Sequence, residues 1–186
     1  MNANESVVAL LKALEKLEID YVVTGSFASN VYGIPRSTKD ADFIVETSSE
    51  RMDLLFDELK PPLRPDPQML FESITSTRRW LIHLERSRFT LELFILNDHP
   101  FDRSRFDRRV RSPLIPGVVA WIPTPEDVVV QKLRWSSLGK RTKDFQDACE
   151  VIEAQAETLD WAYVEKWCVE LGVTATLAEA REATRP

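Results

Sequence analysis

The chain has 186 residues, a formal net charge of −6 at pH 7, and a globular balance of 44% hydrophobic and 29% charged residues. This length favours one domain, or one domain with a helical annex. Two cysteines without a C-x-x-C pair exclude a disulfide scaffold and a zinc ribbon, and two histidines are too few for a three-histidine metal site. The longest uncharged stretch, residues 21–35, is shorter than the ~20 apolar residues of a membrane span. Because the N-terminal residues also lack the pattern of a signal peptide, we expect a cytoplasmic protein that does not enter a membrane.

The charges are distributed unevenly along the chain. Residues 61–143 carry 15 basic and 9 acidic side chains, whereas the segments on either side are acidic. The acidic total argues against nucleic-acid binding, but the basic middle segment is compatible with a phosphate-bearing ligand.

Hydrophobic periodicity predicts alternating helices and strands in the first two thirds of the chain. The helices are expected over residues 7–17, 27–32 and 49–59. The strands are expected over residues 21–24, 40–46, 80–85, 89–96 and 118–122. The third and fourth of these strands form a hairpin, and residues 102–112 are expected to be a basic loop.

Helices alone are predicted in the last third of the chain. Thr124 and Pro125 are typical of a helix start, and that helix should run to about Trp135. Further helices are expected over residues 142–153, 160–171 and from Thr174. The sequence therefore predicts an α+β (α/β-like) fold with a core over residues 1–122 and a helical subdomain over residues 123–186 packed on it.

Three polar features stand within or beside the predicted strands. Gly25-Ser26 ends a strand and opens a helix, where glycine allows close approach of a ligand and free N–H groups can bind phosphate. Asp40 and Asp42 are two residues apart on the next strand, so their carboxylates share one face. Glu92 lies among apolar neighbours, where a charge needs a partner or a cation. Carboxylates that converge in this way repel one another unless a cation such as Mg²⁺ neutralises them.

Gly25-Ser26, a spacer of thirteen residues and Asp40-Ala41-Asp42-Phe43 resemble the h-G-[GS] … D-h-[DE]-h signature of nucleotidyltransferases of the DNA polymerase beta superfamily. Glu92 matches the third carboxylate of that family, which is more often Asp. The resemblance implies a polymerase-beta-type core with a mixed sheet and an NTP substrate. It also implies that Asp40, Asp42 and Glu92 are catalytic and bind two Mg²⁺ ions.

A second block of residues is similar to the AbiEii/AbiGii-type nucleotidyltransferases, bacterial proteins of which some are toxins of toxin–antitoxin pairs. It comprises residues 124–127, Lys132-Leu133 and the Arg141-x-x-Asp144-x-x-Asp147 pattern. This resemblance implies that Lys132 reaches the triphosphate and that Asp144 belongs to the site. The residues expected to bind the nucleotide are therefore Gly25, Ser26, Arg36, Ser37, Thr38, Lys39, Lys132 and Asp144.

The leading functional hypothesis is transfer of a nucleoside monophosphate from an NTP to an acceptor hydroxyl, with pyrophosphate as the second product. The acceptor is expected to be an RNA or tRNA end or a protein side chain, and a cognate antitoxin is an expected partner. Two alternatives stay open. One is a nucleotidyltransferase for a small antibiotic of aminoglycoside type, and the other is a non-catalytic nucleotide-binding or antitoxin-like protein.

Several of these residues also have a purely structural interpretation. Glu92 can pair with an arginine of the neighbouring strand, such as Arg79, and Arg141 can pair with Asp144 across one helical turn. Lys132 can be an ordinary solvent-facing lysine. A further group, the arginines in the expected basic loop, can be solvated side chains rather than phosphate ligands; these are Arg103, Arg105, Arg108, Arg109 and Arg111.

Overall fold

A computed structural model describes residues 1–72 and 75–185 of the chain. Its helices are α1 (Ala3–Lys16), α2 (Gly25–Tyr32), α3 (Ser49–Glu58), α4 (Pro100–Asp107), α5 (Pro125–Gly139), α6 (Thr142–Gln155), α7 (Trp161–Glu170) and α8 (Thr174–Ala183). Its strands are β1 (Asp20–Thr24), β2 (Asp40–Glu46), β3 (Leu63–Pro65), β4 (Leu70–Glu72), β5 (Thr77–Leu84), β6 (Thr90–Ile95), β7 (Val110–Ile115) and β8 (Val118–Ile122).

Six strands form one mixed sheet in the order β1-β2-β6-β5-β3, and β4 also pairs with β5. The β2–β6 pair is parallel, whereas the other pairs of this sheet are antiparallel. The α+β class and the mixed sheet predicted from the sequence are therefore confirmed. Strands β7 and β8 form a separate two-stranded sheet.

The sheet buries one face of β2 and β6 and leaves polar groups on the other. Ala41, Phe43 and Val45 of β2 belong to a hydrophobic cluster that also contains residues of α1 and α3. Side chains alternate along a strand, so Asp40 and Asp42 must lie on the opposite face. This alternation places the carboxylates outside the main core.

A second hydrophobic cluster joins the C-terminal helices to the sheet domain. It contains Val129 and Leu133 of α5 together with Ala28 of α2, whereas Phe27 of α2 belongs to the first cluster. Helix α2 thus contacts both parts of the fold, and Tyr32 adds a hydrogen bond from its hydroxyl to the Pro123 carbonyl at 2.9 Å. The division at residues 122 and 123 stays a prediction, because α2 packs on both sides of it.

The predicted basic loop over residues 102–112 was wrong, because this segment contains most of α4 and the first half of β7. His99 caps α4 by accepting a hydrogen bond from the Phe101 backbone N–H, and Pro100 begins the helix. Phe101 and Phe106 are fully buried and fix this helix against the fold. The short strands β3 and β4 were also missed, since three residues give no periodicity.

The five arginines of this segment form ion pairs with acidic residues from other parts of the chain or from the same helix. Arg103 pairs with Glu46 and Asp98, Arg105 with Asp102, Arg108 with Glu126 and Asp127, Arg109 with Asp20, and Arg111 with Glu15. They are therefore partners in structural ion pairs rather than freely solvated side chains. Within the described part of the chain, no helix is long and apolar enough to cross a membrane.

Candidate active site

The three predicted catalytic carboxylates lie on one face of two neighbouring strands. Asp40 and Asp42 are two residues apart on β2, and Asp42 is directly opposite Glu92 in the parallel β2–β6 pair. All three side chains line the same cavity, which has a volume of about 680 Å³. The structure thus brings together the residues that the sequence had placed on two separate strands.

Gly25 allows the start of α2 to touch the Asp42 carboxylate. Its backbone has a φ of +61°, which non-glycine residues rarely adopt, and a Cβ atom added there would lie 1.9 Å from Asp42 Oδ2. A side chain at position 25 would therefore collide with the carboxylate. Gly25 and Ser26 line the cavity, so the free N–H groups expected at the first turn of α2 lie beside the carboxylates.

Burial and the neighbouring negative charges make Asp42 and Glu92 hard to ionise. Burial, followed by the charges of Asp40 and Glu92, raises the pKa of Asp42 to about 7. Burial also raises the pKa of Glu92, although the Arg79 guanidinium opposes this shift. A divalent cation neutralises the charge of carboxylate oxygens that are crowded in this way, so Asp40 and Asp42 suit the predicted Mg²⁺.

The carboxylates do not form a ready-made three-ligand metal site. Among residues 1–72 and 75–185, no three His, Cys, Asp or Glu side chains form a group that could hold a metal ion. Glu92 accepts a hydrogen bond from Arg79 Nη1 at 2.6 Å, as the structural interpretation of its charge predicted. Asp40 accepts one from Thr38 Oγ1 at 2.7 Å. Both carboxylates are thus engaged by protein donors, and binding of two Mg²⁺ ions by all three stays a prediction.

Lys132 is buried against two carboxylates and is not a solvent-facing lysine. Only 6% of the residue is exposed. Its Nζ donates to Asp144 Oδ1 at 2.8 Å and to Asp147 Oδ2 at 2.6 Å. Arg141 adds a weaker contact to Asp144 at 3.9 Å, so the pair expected across one helical turn is present.

Asp147 links Lys132 to the loop between α2 and β2. It accepts two hydrogen bonds from Arg36, from Nε at 2.7 Å and from Nη2 at 2.5 Å. Burial alone would raise the pKa of Asp147, but the Arg36 hydrogen bond and the Lys132 charge outweigh burial and lower it. Arg36 Nη2 also donates to Ser26 Oγ at 3.0 Å, and Asn30 holds the Arg36 backbone through both of its polar groups. The cationic side chains beside α2 are therefore fixed in position.

The predicted nucleotide-binding residues fall into two groups, those that line the cavity and those that do not. Gly25, Ser26, Arg36, Lys132 and Asp144 line it. Three predicted residues do not, namely Ser37, Thr38 and Lys39. Ser37 and Lys39 are exposed, the Lys39 carbonyl accepts the hydrogen bond that begins the β2–β6 ladder, and the Thr38 hydroxyl donates to Asp40.

Sequence reasoning missed two features of this site. Asp147 was left doubtful, because nothing in the local pattern shows that Arg36 would bind it. Gln131 was not considered, although it lies one residue before Lys132 on the cavity side of α5. A helical stripe of Val128, Gln131, Lys132 and Trp135 was the available signal, since these spacings share one helix face.

No protein-family model and no curated protein matches the chain significantly. Among solved structures, the chain is similar to the crystal structure of ANT(2'')-Ia in complex with adenylyl-2''-tobramycin. The TM-score is 0.61 at 12% identity, over 90% of this chain and 95% of that chain. The solution structure of the antibiotic-resistance factor ANT(2'')-Ia also gives a TM-score of 0.61 at 12% identity, over 99% and 100% of the two chains. For the crystal structure of JHP933 from Helicobacter pylori, the TM-score is 0.49 at 16% identity, over 98% of this chain and 92% of that chain.

ANT(2'')-Ia is a nucleotidyltransferase. The chain therefore has the nucleotidyltransferase fold. This confirms the fold expected from Gly25-Ser26 and from Asp40 and Asp42, whereas the more specific resemblance to AbiEii/AbiGii-type proteins stays a prediction. On this fold, the carboxylates, the start of α2 and Lys132 share one cavity.

Proposed function

We propose that the chain is a Mg²⁺-dependent nucleotidyltransferase that moves a nucleoside monophosphate from an NTP to an acceptor hydroxyl. The observation that carries the proposal is one cavity lined by Asp40, Asp42 and Glu92 together with the start of α2 and Lys132. Acidic residues that hold metal beside groups that bind phosphate are the combination that nucleotidyl transfer requires.

The phosphate-binding groups lie at the start of α2 and on α5. The first N–H groups of a helix have no partner within it and favour an anion. Lys132 is held by Asp144 and Asp147 at 2.8 and 2.6 Å, so its charge is fixed in position before a ligand arrives. We infer that the β- and γ-phosphates bind between these two elements, and that Arg36 adds positive charge.

In the proposed reaction, the acceptor oxygen attacks the α-phosphorus of the NTP. A new O–P bond forms, the bond from the α-phosphorus to the α–β bridging oxygen breaks, and pyrophosphate leaves with the bonding electrons. Glu92 would take the hydroxyl proton, because its raised pKa makes it a stronger base than an exposed glutamate. Mg²⁺ held by Asp40 and Asp42, with Glu92 as the predicted third ligand, would neutralise phosphate charge.

A small hydroxylated acceptor is better supported than RNA. Of the five arginines at positions 103 to 111, only Arg105 lines the cavity, and it pairs with Asp102. The neighbour with a TM-score of 0.61 is a structure with adenylyl-2''-tobramycin, which favours an acceptor of aminoglycoside type. An RNA or tRNA end, a protein side chain, the toxin–antitoxin role and the cytoplasmic location stay predictions.

The test is a transfer assay with each of the four α-³²P-labelled NTPs and Mg²⁺. Separate reactions contain tobramycin, total RNA or no acceptor. We expect labelled tobramycin with the unchanged protein and with the Asp53→Asn control, whose carboxylate is exposed on α3. Asp42→Asn should abolish the product, because it removes a charge that the metal needs. Label in RNA alone would favour the RNA acceptor, and NTP binding without any labelled product would favour the non-catalytic alternative.

A further inference from the structure

The loop between α2 and β2, residues 33–39, brings Arg36 to the cavity without regular secondary structure of its own. Ser37 and Lys39 of this loop are exposed. An arginine on such a loop ordinarily samples many side-chain conformations, and a ligand that needs one of them binds more weakly because it must select it. The contacts that hold Arg36 therefore decide how strongly it can bind phosphate.

Asn30 holds the backbone of Arg36. Its Nδ2 donates to the Arg36 carbonyl at 2.8 Å, and its Oδ1 accepts from the Arg36 backbone N–H at 3.1 Å. A side-chain amide can donate and accept at once, so this one amide engages both polar groups of the Arg36 backbone. Asn30 belongs to α2, and its bonds tie the loop back to the helix whose first turn lines the cavity. Asn30 itself does not line the cavity.

The Arg36 guanidinium is held along one side only. Nε and Nη2 donate to Asp147 of α6 at 2.7 and 2.5 Å, and Nη2 also donates to Ser26 Oγ at 3.0 Å. Nη1 lies 3.5 Å from the Ser37 carbonyl, which is its one hydrogen bond within the described part of the chain. Since Nη1 carries two N–H groups, it keeps a donor for a ligand in the cavity that Arg36 lines.

The same contact prepares Ser26. Only 8% of Ser26 is exposed, and it lines the cavity beside Gly25. Its hydroxyl accepts the bond from Arg36, which occupies an oxygen lone pair and leaves the hydroxyl proton. Within residues 1–72 and 75–185, no protein group accepts that proton. Arg36 and Ser26 thus form a joined pair of donors, and the position of the pair depends on the Arg36 backbone.

We propose that Asn30 is a positioning residue for the NTP, which holds Arg36 so that its guanidinium reaches Ser26 and Asp147 in one orientation before the NTP binds. The inference rests on the proposed nucleotidyl transfer, in which Arg36 adds positive charge for the phosphates. Asn30 does not touch the NTP and acts through Arg36. It has no contact with Lys132, so its effect on binding is confined to the loop after α2.

The test compares Asn30→Ala in the unchanged protein and in an Arg36→Met background. Arg36→Met removes the guanidinium but keeps the backbone groups that Asn30 binds, so both hydrogen bonds of Asn30 exist in both backgrounds. Calorimetry with Mg²⁺ would measure the affinity for α,β-methylene-ATP, well below each melting temperature. We expect Asn30→Ala to weaken binding about tenfold in the unchanged protein. In the Arg36→Met background it should change binding by less than about twofold.

The melting temperature provides the readout of a purely structural role. Asn30→Ala should lower it equally in both backgrounds, because the backbone bonds are lost in both. Tripolyphosphate with Mg²⁺ should lose affinity by the same factor as the nucleotide analogue, since Arg36 acts on the phosphates. Asn4→Ala, exposed on α1, is the matched control. If Arg36→Met does not stay folded, Arg36→Lys replaces it, because lysine keeps the charge but lacks the planar fork. The effect of Asn30→Ala on affinity should then again be smaller than in the unchanged protein.

The remaining outcomes separate this inference from the proposed function. An equal loss of affinity in both backgrounds would show that Asn30 acts through the fold in general, and no loss in either would show that it does not act on binding; each would overturn the positioning role. Weaker binding of the nucleotide analogue with unchanged binding of tripolyphosphate would overturn it as well. Failure of the unchanged protein to bind either compound would instead overturn the proposed function itself.

Discussion

Replacing Lys132 by methionine tests the ion-pair network that connects α5, α6 and the loop after α2. The side chain is buried, and it donates to Asp144 at 2.8 Å and to Asp147 at 2.6 Å. Methionine has a similar length but no charge, so the variant leaves two carboxylates close together with fewer cations. Arg36 continues to bind Asp147 through two hydrogen bonds, whereas Asp144 keeps only the contact to Arg141 at 3.9 Å.

The expected loss of stability is large for a single substitution. Removing one partner of a buried ion pair costs about 3–5 kcal/mol, and the remaining Arg36 contact favours the lower end of that range. For a chain of this size, 1 kcal/mol corresponds to about 2–4 °C in melting temperature. We therefore expect Lys132→Met to unfold roughly 6–12 °C below the unchanged protein at pH 7.

The sign of the pH dependence follows from Asp147. Its pKa is lowered in the folded protein, so its ion pairs contribute stability at neutral pH that is lost as pH falls through the folded-state pKa. The deficit of Lys132→Met should therefore shrink toward acid pH. Differential scanning fluorimetry at pH 7 and pH 3 measures both deficits, with Lys140→Met as the control because this cavity lysine is exposed.

A second variant distinguishes the stability lost through unpaired charge from the stability lost through poorer packing. Adding Asp144→Asn to Lys132→Met removes one of the stranded carboxylates and should recover part of the lost melting temperature. NTP affinity, measured by calorimetry well below the melting temperature, should fall about ten- to hundredfold in Lys132→Met if Lys132 also binds phosphate. A melting temperature within about 2 °C of the unchanged protein at pH 7 would refute the structural part of this reasoning.

Two further variants address the carboxylates and the turn beside them. Asp42→Asn should raise the melting temperature without divalent cations. Because the pKa of Asp42 is raised in the folded protein, the ionised carboxylate destabilises the fold at pH values above its ordinary pKa, by up to about 4 kcal/mol near pH 8. Fluorimetry should find this gain large at pH 8 and small at pH 4, and an equal gain at both would contradict it. Gly25→Ala should lose transfer activity and more stability than Gly117→Ala, since both glycines have positive φ but only Gly25 would place its Cβ against Asp42. The backbone strain common to both variants is about 1–2 kcal/mol, and denaturant unfolding measures the total loss of stability in each. Equal losses of stability in the two variants would argue against the Asp42 contact.

Local sequence patterns were enough to predict the strand that carries Asp40 and Asp42 and the turn before it. The alternation in residues 40–46 placed Asp40 and Asp42 on one face, and β2 has these bounds. Gly25 was identifiable because glycine between a strand and a helix allows a ligand to approach the backbone closely, and because the carboxylate pair follows it in the sequence. The helices from Pro125 onward were also predictable, since their caps and periodicity are local properties.

Which charges neutralise one another became clear only from the folded chain. Arg36 and Asp147 are 111 residues apart in the sequence, yet they share two hydrogen bonds beside Lys132. The expected basic loop became α4 and β7 because its phenylalanines are buried and its arginines find acidic partners elsewhere in the chain. Spacing along the chain reveals the periodicity of helices and strands, because backbone hydrogen bonding and side-chain alternation are local. The partner of a charge depends on which elements pack together, and so the ion pairs around this site emerge only in the folded chain.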